Sequence, residues 1–99
     1  MMIYGFGSFF NSAGNFNDVD LLIIHDSNSY KSCLEAISLK LEILSRISNA
    51  HVTMLSKAEE DKLKFIEKSL AILLGEYLGI QKEMIVSELM IKMQSLRKT

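Results

Sequence analysis

Proline and tryptophan are absent from this 99-residue chain, and cysteine occurs once. Without proline, low-complexity stretches or a fixed-period repeat, nothing marks an internal linker, so the length reads as one domain. A lone Cys33 excludes an internal disulfide and a cysteine-based zinc site. It fits a reducing, cytoplasmic setting. Charge of one sign is also missing, with a formal net charge of −1. Neither a basic groove for polymeric nucleic acid nor an acidic tail is expected. A single nucleotide is not excluded, because a metal ion can supply the positive charge. No apolar run reaches the ~18–20 residues of a membrane span; the longest, Leu70 to Ile80, is interrupted by Glu76. The opening "MMIYGFG" lacks the charged and long apolar regions of a signal peptide.

Apolar residues are plentiful. They make up 48% of the chain, and the mean hydropathy is +0.18. That is rich for so small a domain, argues against disorder, and leaves a surplus for a partner to cover.

Met2 to Phe6 reads as a short strand, followed by Gly7-Ser8 and a polar, Gly- and Asn-rich loop, "NSAGNFN". Val19 to His25 is the clearest strand, and its unbroken apolar run predicts burial on both faces. "DSNS" (Asp26 to Ser29) is turn and cap chemistry. Leu34, Ile37, Leu41 and Leu44 then recur at helical spacing between Tyr30 and about Ile47. His51 to Leu55 reads as a third strand. "SKAE" (Ser56 to Glu59) is a capping-box pattern that opens a second helix reaching Leu74. Gly75 and Gly79 end or kink it. A last helix runs from about Lys82 to Leu96. The expected fold is α+β: about three strands in a small mixed sheet, flanked by helices. Residues 1–60 form the motif-bearing core and residues 61–99 a helical extension.

Asp18 and Asp20, one residue apart at the mouth of an apolar strand, are costly unless used. Alternation puts both on one face, about 6.6 Å apart at Cα. Their oxygens can converge on one divalent ion or on a closely spaced pair. Mg²⁺ suits such a site, because it takes one or two carboxylates and completes its shell with water and phosphates. Gly7 lets the backbone at Ser8 approach a ligand closely.

Gly7-Ser8, nine intervening residues, then Asp18-Val19-Asp20-Leu21-Leu22 resembles the signature of the DNA polymerase beta-like nucleotidyltransferase superfamily, closest to its minimal bacterial and archaeal domains. The similarity covers roughly Ile3 to Glu60. It implies that Gly7 and Ser8 hold a nucleoside triphosphate such as ATP. Asp18 and Asp20 would be the catalytic residues and bind Mg²⁺. A nucleotide, AMP above all, would pass to a hydroxyl of a partner protein or RNA. The family usually carries a third carboxylate on the next strand, where this chain has Thr53, with His51 two residues earlier. Thr53 cannot act as a base or a strong Mg²⁺ ligand, and losing a general base costs ~10²–10⁴ in rate. The resemblance therefore leaves two outcomes: an impaired enzyme, or an inactive nucleotidyltransferase-like binding subunit. The family also usually has a helix before its first strand, and here the strand comes almost at once. Relatives of this size often pair with a helical subunit, some as antitoxins that adenylate a ribonuclease toxin.

Plainer readings apply elsewhere. His51 reads as a packing histidine at a strand end, His25 as a solvated one, and Cys33 as a buried small apolar residue. The charged run after Ser56 reads as a solvated first turn, with acids well placed at a helix start; Glu59 or Glu60 in the role of the missing carboxylate is a lesser alternative. Ile85, Val86, Leu89, Met90, Ile91 and Met93 cover more than half of the last helix. They predict burial against another chain, either a helical partner or a second copy. "LRKT" reads as ordinary helix C-terminal chemistry.

Overall fold

A computed structural model describes residues 1–11, 18–78 and 81–97. Most of the "NSAGNFN" loop, Gly79 and the last two residues lie outside the described residues. The elements are β1 (Met2–Phe6), β2 (Val19–His25), α1 (Tyr30–Arg46), β3 (Ala50–Ser56), α2 (Lys57–Leu63), α3 (Phe65–Ser69), β4 (Ile72–Glu76) and α4 (Lys82–Arg97). The fold is α+β, with a four-stranded mixed sheet in the order β3-β2-β1-β4. β1 runs antiparallel to β2 and β4, while β2 and β3 are parallel and joined through α1.

The apolar run of β2 makes it the spine of the sheet. Val19, Leu21 and Ile23 face one side and join the main core with Ile3, Ala36, Leu39, Ile43, Ile85 and Leu89. Leu22 and Ile24 face the other side, where Leu55, Phe65 and Ile66 gather into a smaller cluster. α1 is started by the Ser29 hydroxyl, which accepts from the Ser32 N–H at 3.1 Å. Its Ala36, Leu39 and Ile43 are spaced to meet the sheet, and all three are fully buried. Arg46 ties α1 to α4, donating to the Glu83 carbonyl and the Ser87 hydroxyl at 3.1 and 3.2 Å.

The capping box is present. Ser56 Oγ accepts from the Glu59 N–H at 3.1 Å, and the Ser56 N–H donates to Glu59 Oε1 at 2.8 Å. Donation from the Ser56 N–H first, and from the Ser56 hydroxyl second, holds the Glu59 carboxyl below the usual carboxylate range, with His25 a minor cause.

Two expectations need correction. The helix predicted to reach Leu74 stops early: Lys64 and Leu70 both adopt left-handed backbone, at φ 53° and 56°, and break the segment into α2 and α3. The N–H groups freed at the break are met by the Glu60 carboxylate, which accepts from Phe65 and Ile66 at 3.1 Å. Beyond the break, Ile72 to Glu76 is a fourth strand, so Gly75 sits in a strand and residues 61–99 are not wholly helical. β1 supplies the reason: its second edge carries N–H and C=O groups that need partners, and β4 satisfies them. On α4, Ile85, Val86, Leu89 and Met93 are buried within this chain, while Met84 and Ile91 remain exposed.

Tyr77 locks the end of β4. Its N–H donates to the Met1 carbonyl at 2.7 Å, and its hydroxyl donates to Glu88 Oε2 at 3.0 Å. Burial first, then the hydrogen bond and charge of Glu88, push the phenol up to about 12. A raised phenol contributes stability that is complete below the unfolded value near 10 and is lost as pH rises through 12. In a near-ultraviolet titration, Tyr77 is expected to give a late ionisation step near pH 12. Tyr77→Phe should delete that late step. Glu88→Gln should move it only part of the way back, because burial is the larger cause.

Candidate functional site

The turn after β1 and the start of β2 form one small structure. Pairing of Phe6 with Asp20 brings Gly7 alongside the acid. Gly7 has φ +77°, a conformation that L side chains rarely adopt, and its carbonyl accepts from the Phe10 and Asn11 N–H groups at 3.2 and 3.0 Å. A Cβ at Gly7 would lie 2.5 Å from Asp20 Oδ2. The glycine is therefore required twice, by the backbone angle and by the carboxylate against it. Phe10 closes the turn from the other side, its ring lying on the backbone of Gly5. Ser8 is half-buried within the turn.

Gly7→Ala is expected to lower stability by about 1–2 kcal/mol through left-handed strain and to displace the Asp20 carboxylate. Denaturant unfolding reads the first effect; the second should appear as weaker binding of any ligand that needs Asp20.

Asp18 is exposed just before β2, and Asp20 is half-buried within it. The register places Asp20 beside His51 and Leu22 beside Thr53. His51, rather than Thr53, therefore lies level with Asp20. His51 Nε2 lies 3.3 Å from Asp18 Oδ1, with both side chains more than half exposed. Thr53 sits one pleat farther along the same face. Asp18, Asp20 and His51 thus line one end of the sheet, on the side of Leu22. Among the described residues, no group of three or more His, Cys, Asp or Glu side chains is arranged to hold a metal ion.

Among the described residues, clefts lie elsewhere. One, of about 300 Å³, opens at the far end of β2 between His25, Asp26, Lys31 and Tyr77. Another, of about 260 Å³, lies on the helix side near Phe9, Val19, Arg46 and Met93. A third, of about 270 Å³, lies between Leu74 and α4. None of the three includes Gly7, Ser8, Asp18 or Asp20.

Two histidine and cysteine expectations change. His25 is 6% exposed rather than solvated, and its Nδ1 lies 2.8 Å from the Ser27 carbonyl and 3.1 Å from Ser32 Oγ. A carbonyl only accepts, so Nδ1 carries the proton. The sequence signal was available, since His25 continues the inward alternation of Val19, Leu21 and Ile23. Cys33 is half-buried.

Compared with protein-family models, curated proteins and solved structures, the chain matches none. Among the described residues, no helix is long and apolar enough to cross a membrane.

Proposed function

We propose that this chain is a minimal nucleotidyltransferase-like domain that holds a Mg²⁺-bound nucleoside triphosphate on Gly7, Ser8, Asp18 and Asp20. The observation that carries the proposal is the seating of Asp20 Oδ2 against the missing side chain of Gly7. Residues separated by a long loop meet at one point, with a glycine that no other residue could replace without moving the carboxylate.

The donor set suits the cation. Asp18 and Asp20 offer two carboxylates on one face, and Mg²⁺ commonly takes that number from protein while phosphates and water complete its shell. Bound there, the ion would neutralise charge on the triphosphate. The residues do the remaining work. Asp20 is held in place by the strand and by Gly7. Asp18 is exposed and free to swing from His51 toward a ligand. Gly7-Ser8, half-buried beside Asp20, would take phosphate oxygens at close range where the glycine has no side chain. The reaction proposed is attack of a hydroxyl of a partner protein or RNA on the α-phosphorus of the triphosphate, adenylate being transferred in the first instance: the new P–O bond forms as the α–β phosphoanhydride bond breaks, pyrophosphate leaves and the hydroxyl proton passes to solvent, in the cytoplasm, as an antitoxin-type domain would do.

A second reading has its own support. Thr53 is neutral and lies beside Leu22, away from the acids, so no third carboxylate joins Asp18 and Asp20 from β3. That favours a domain that binds nucleotide, or a partner subunit, without turnover.

Incubation with labelled ATP, Mg²⁺ and co-purified partners separates the two. Label transfer that vanishes in Asp18→Asn/Asp20→Asn supports the enzyme. Mg²⁺-dependent binding without transfer, with activity gained in Thr53→Asp, supports a decayed catalyst. Neither binding nor transfer overturns both.

A further inference from the structure

α1 carries two apolar stripes, and the fold uses one. Ala36, Leu39 and Ile43 are fully buried against the sheet. Tyr30, Leu34, Ile37, Leu41 and Leu44 form the other, at successive spacings of four, three, four and three residues. Tyr30 is 81% exposed, Leu41 is 61% exposed, and the other three are 39–45% exposed. A 3.5-residue repeat on an exposed helix is the pattern of a seam that receives another helix, knobs into holes. No charged residue lies within the stripe.

We infer that α1 is a homodimerisation helix that pairs antiparallel with α1 of a second copy, about a two-fold axis at Ile37. The stripe is self-complementary under that operation. Tyr30 meets Leu44 of the second copy, Leu34 meets Leu41, and Ile37 meets itself, so every layer is apolar on both sides. On the flanks, Lys31 falls opposite Ser45 and Lys40 opposite Cys33, so no like charges are opposed. The antiparallel arrangement also sets opposite helix dipole ends together.

The area fits. The five side chains expose on the order of 500 Å² together, near the upper size of the largest apolar patch on a typical monomer. Two such faces bury roughly 1,000 Å², the lower bound for a specific interface. The expected dimer is therefore one of moderate strength, which forms as concentration rises. The inference does not depend on the nucleotide reading, since the stripe lies on the helix layer, away from Asp18 and Asp20.

Sedimentation velocity on the full chain across a concentration series tests it. The wild type should pass from monomer to dimer. Leu41→Glu should weaken dimerisation roughly a hundredfold or more by burying two carboxylates, with an unchanged helical circular dichroism spectrum because the site is exposed. Ile91→Glu, on the exposed face of α4, should leave the dimer intact. Orientation is tested independently with Lys40→Cys, which a short thiol-reactive linker should join to Cys33 of the second copy. A monomer at every concentration, a dimer indifferent to Leu41→Glu, or no linkage in Lys40→Cys overturns the inference.

Discussion

Asp20→Asn is expected to remove Mg²⁺-dependent nucleoside triphosphate binding while leaving the fold in place. The substitution keeps the shape of the side chain and deletes its charge. Asp20 is half-buried, and its Oδ2 lies where a Gly7 side chain would be, so the amide can occupy the same space. Stability should move by no more than about 0.5 kcal/mol, as for most substitutions without a packing change. Affinity should fall roughly a hundredfold, equivalent to about 2.7 kcal/mol, because a Mg²⁺ ligand is lost from a set of two. Asp18→Asn should act in the same direction but less strongly, since that side chain is exposed and loosely held by His51. Asp26→Asn is the matched control. Asp26 is also exposed, pairs with Lys57 at 3.5 Å, and lies at the far end of β2; its loss should leave binding unchanged. Calorimetric titration of the three variants reads the affinities, and denaturant unfolding reads the stability.

Ile23→Ala carries the largest expected effect on stability. Ile23 sits in the middle of the central strand, has no exposed surface, and packs between β1, β3 and the helix layer. Truncation removes buried methylene and methyl groups and leaves a cavity, at a cost of about 2–5 kcal/mol. A domain of this length has only about 5–15 kcal/mol in total. The denaturant midpoint should drop sharply, and the thermal midpoint should fall by more than about 10 °C. Leu73→Ala offers the contrast. Leu73 lies on the edge strand and is about half exposed, so its loss should cost under about 1 kcal/mol. If both substitutions cost the same, β2 is not the centre of the core.

The ease with which β1, β2 and β3 are read from the sequence has a physical basis. β2 is buried on both faces, so its apolar run is unbroken, and β1 and β3 end at chemistry that stops a strand, Gly7-Ser8 and the Ser56 cap. β4 has no comparable signal. Ile72, Leu73 and Leu74 follow a helix-forming run without proline or a turn motif, and what makes them a strand is the open edge of β1, which is distant in sequence. The break at Lys64 is equally silent, because a lysine in left-handed backbone is fixed by the Glu60 carboxylate rather than by its own preference. In the candidate site, the meeting of Gly7 with Asp20 follows from their positions at the two ends of a hairpin. The placement of His51 beside Asp20 does not, because parallel register depends on how α1 and its flanking turns return the chain to the sheet. The surplus of apolar residues was legible as a surplus, but its place was not. The last helix looked oversupplied and buries Ile85, Val86, Leu89 and Met93 in the core, while α1 looked ordinary and carries the exposed seam.

The central claim is that the end of the sheet at Gly7, Ser8 and Asp20 receives a cation-bound polyphosphate. Backbone amide resonances followed by NMR during titration with Mg²⁺ and ATP test it most directly. The account predicts saturable shifts concentrated at Gly7, Ser8, Val19 and Asp20 that require Mg²⁺ and disappear in Asp20→Asn. Shifts centred instead on His25, Ser29 and Lys31 at the opposite end of β2, or no shifts at all, would contradict it.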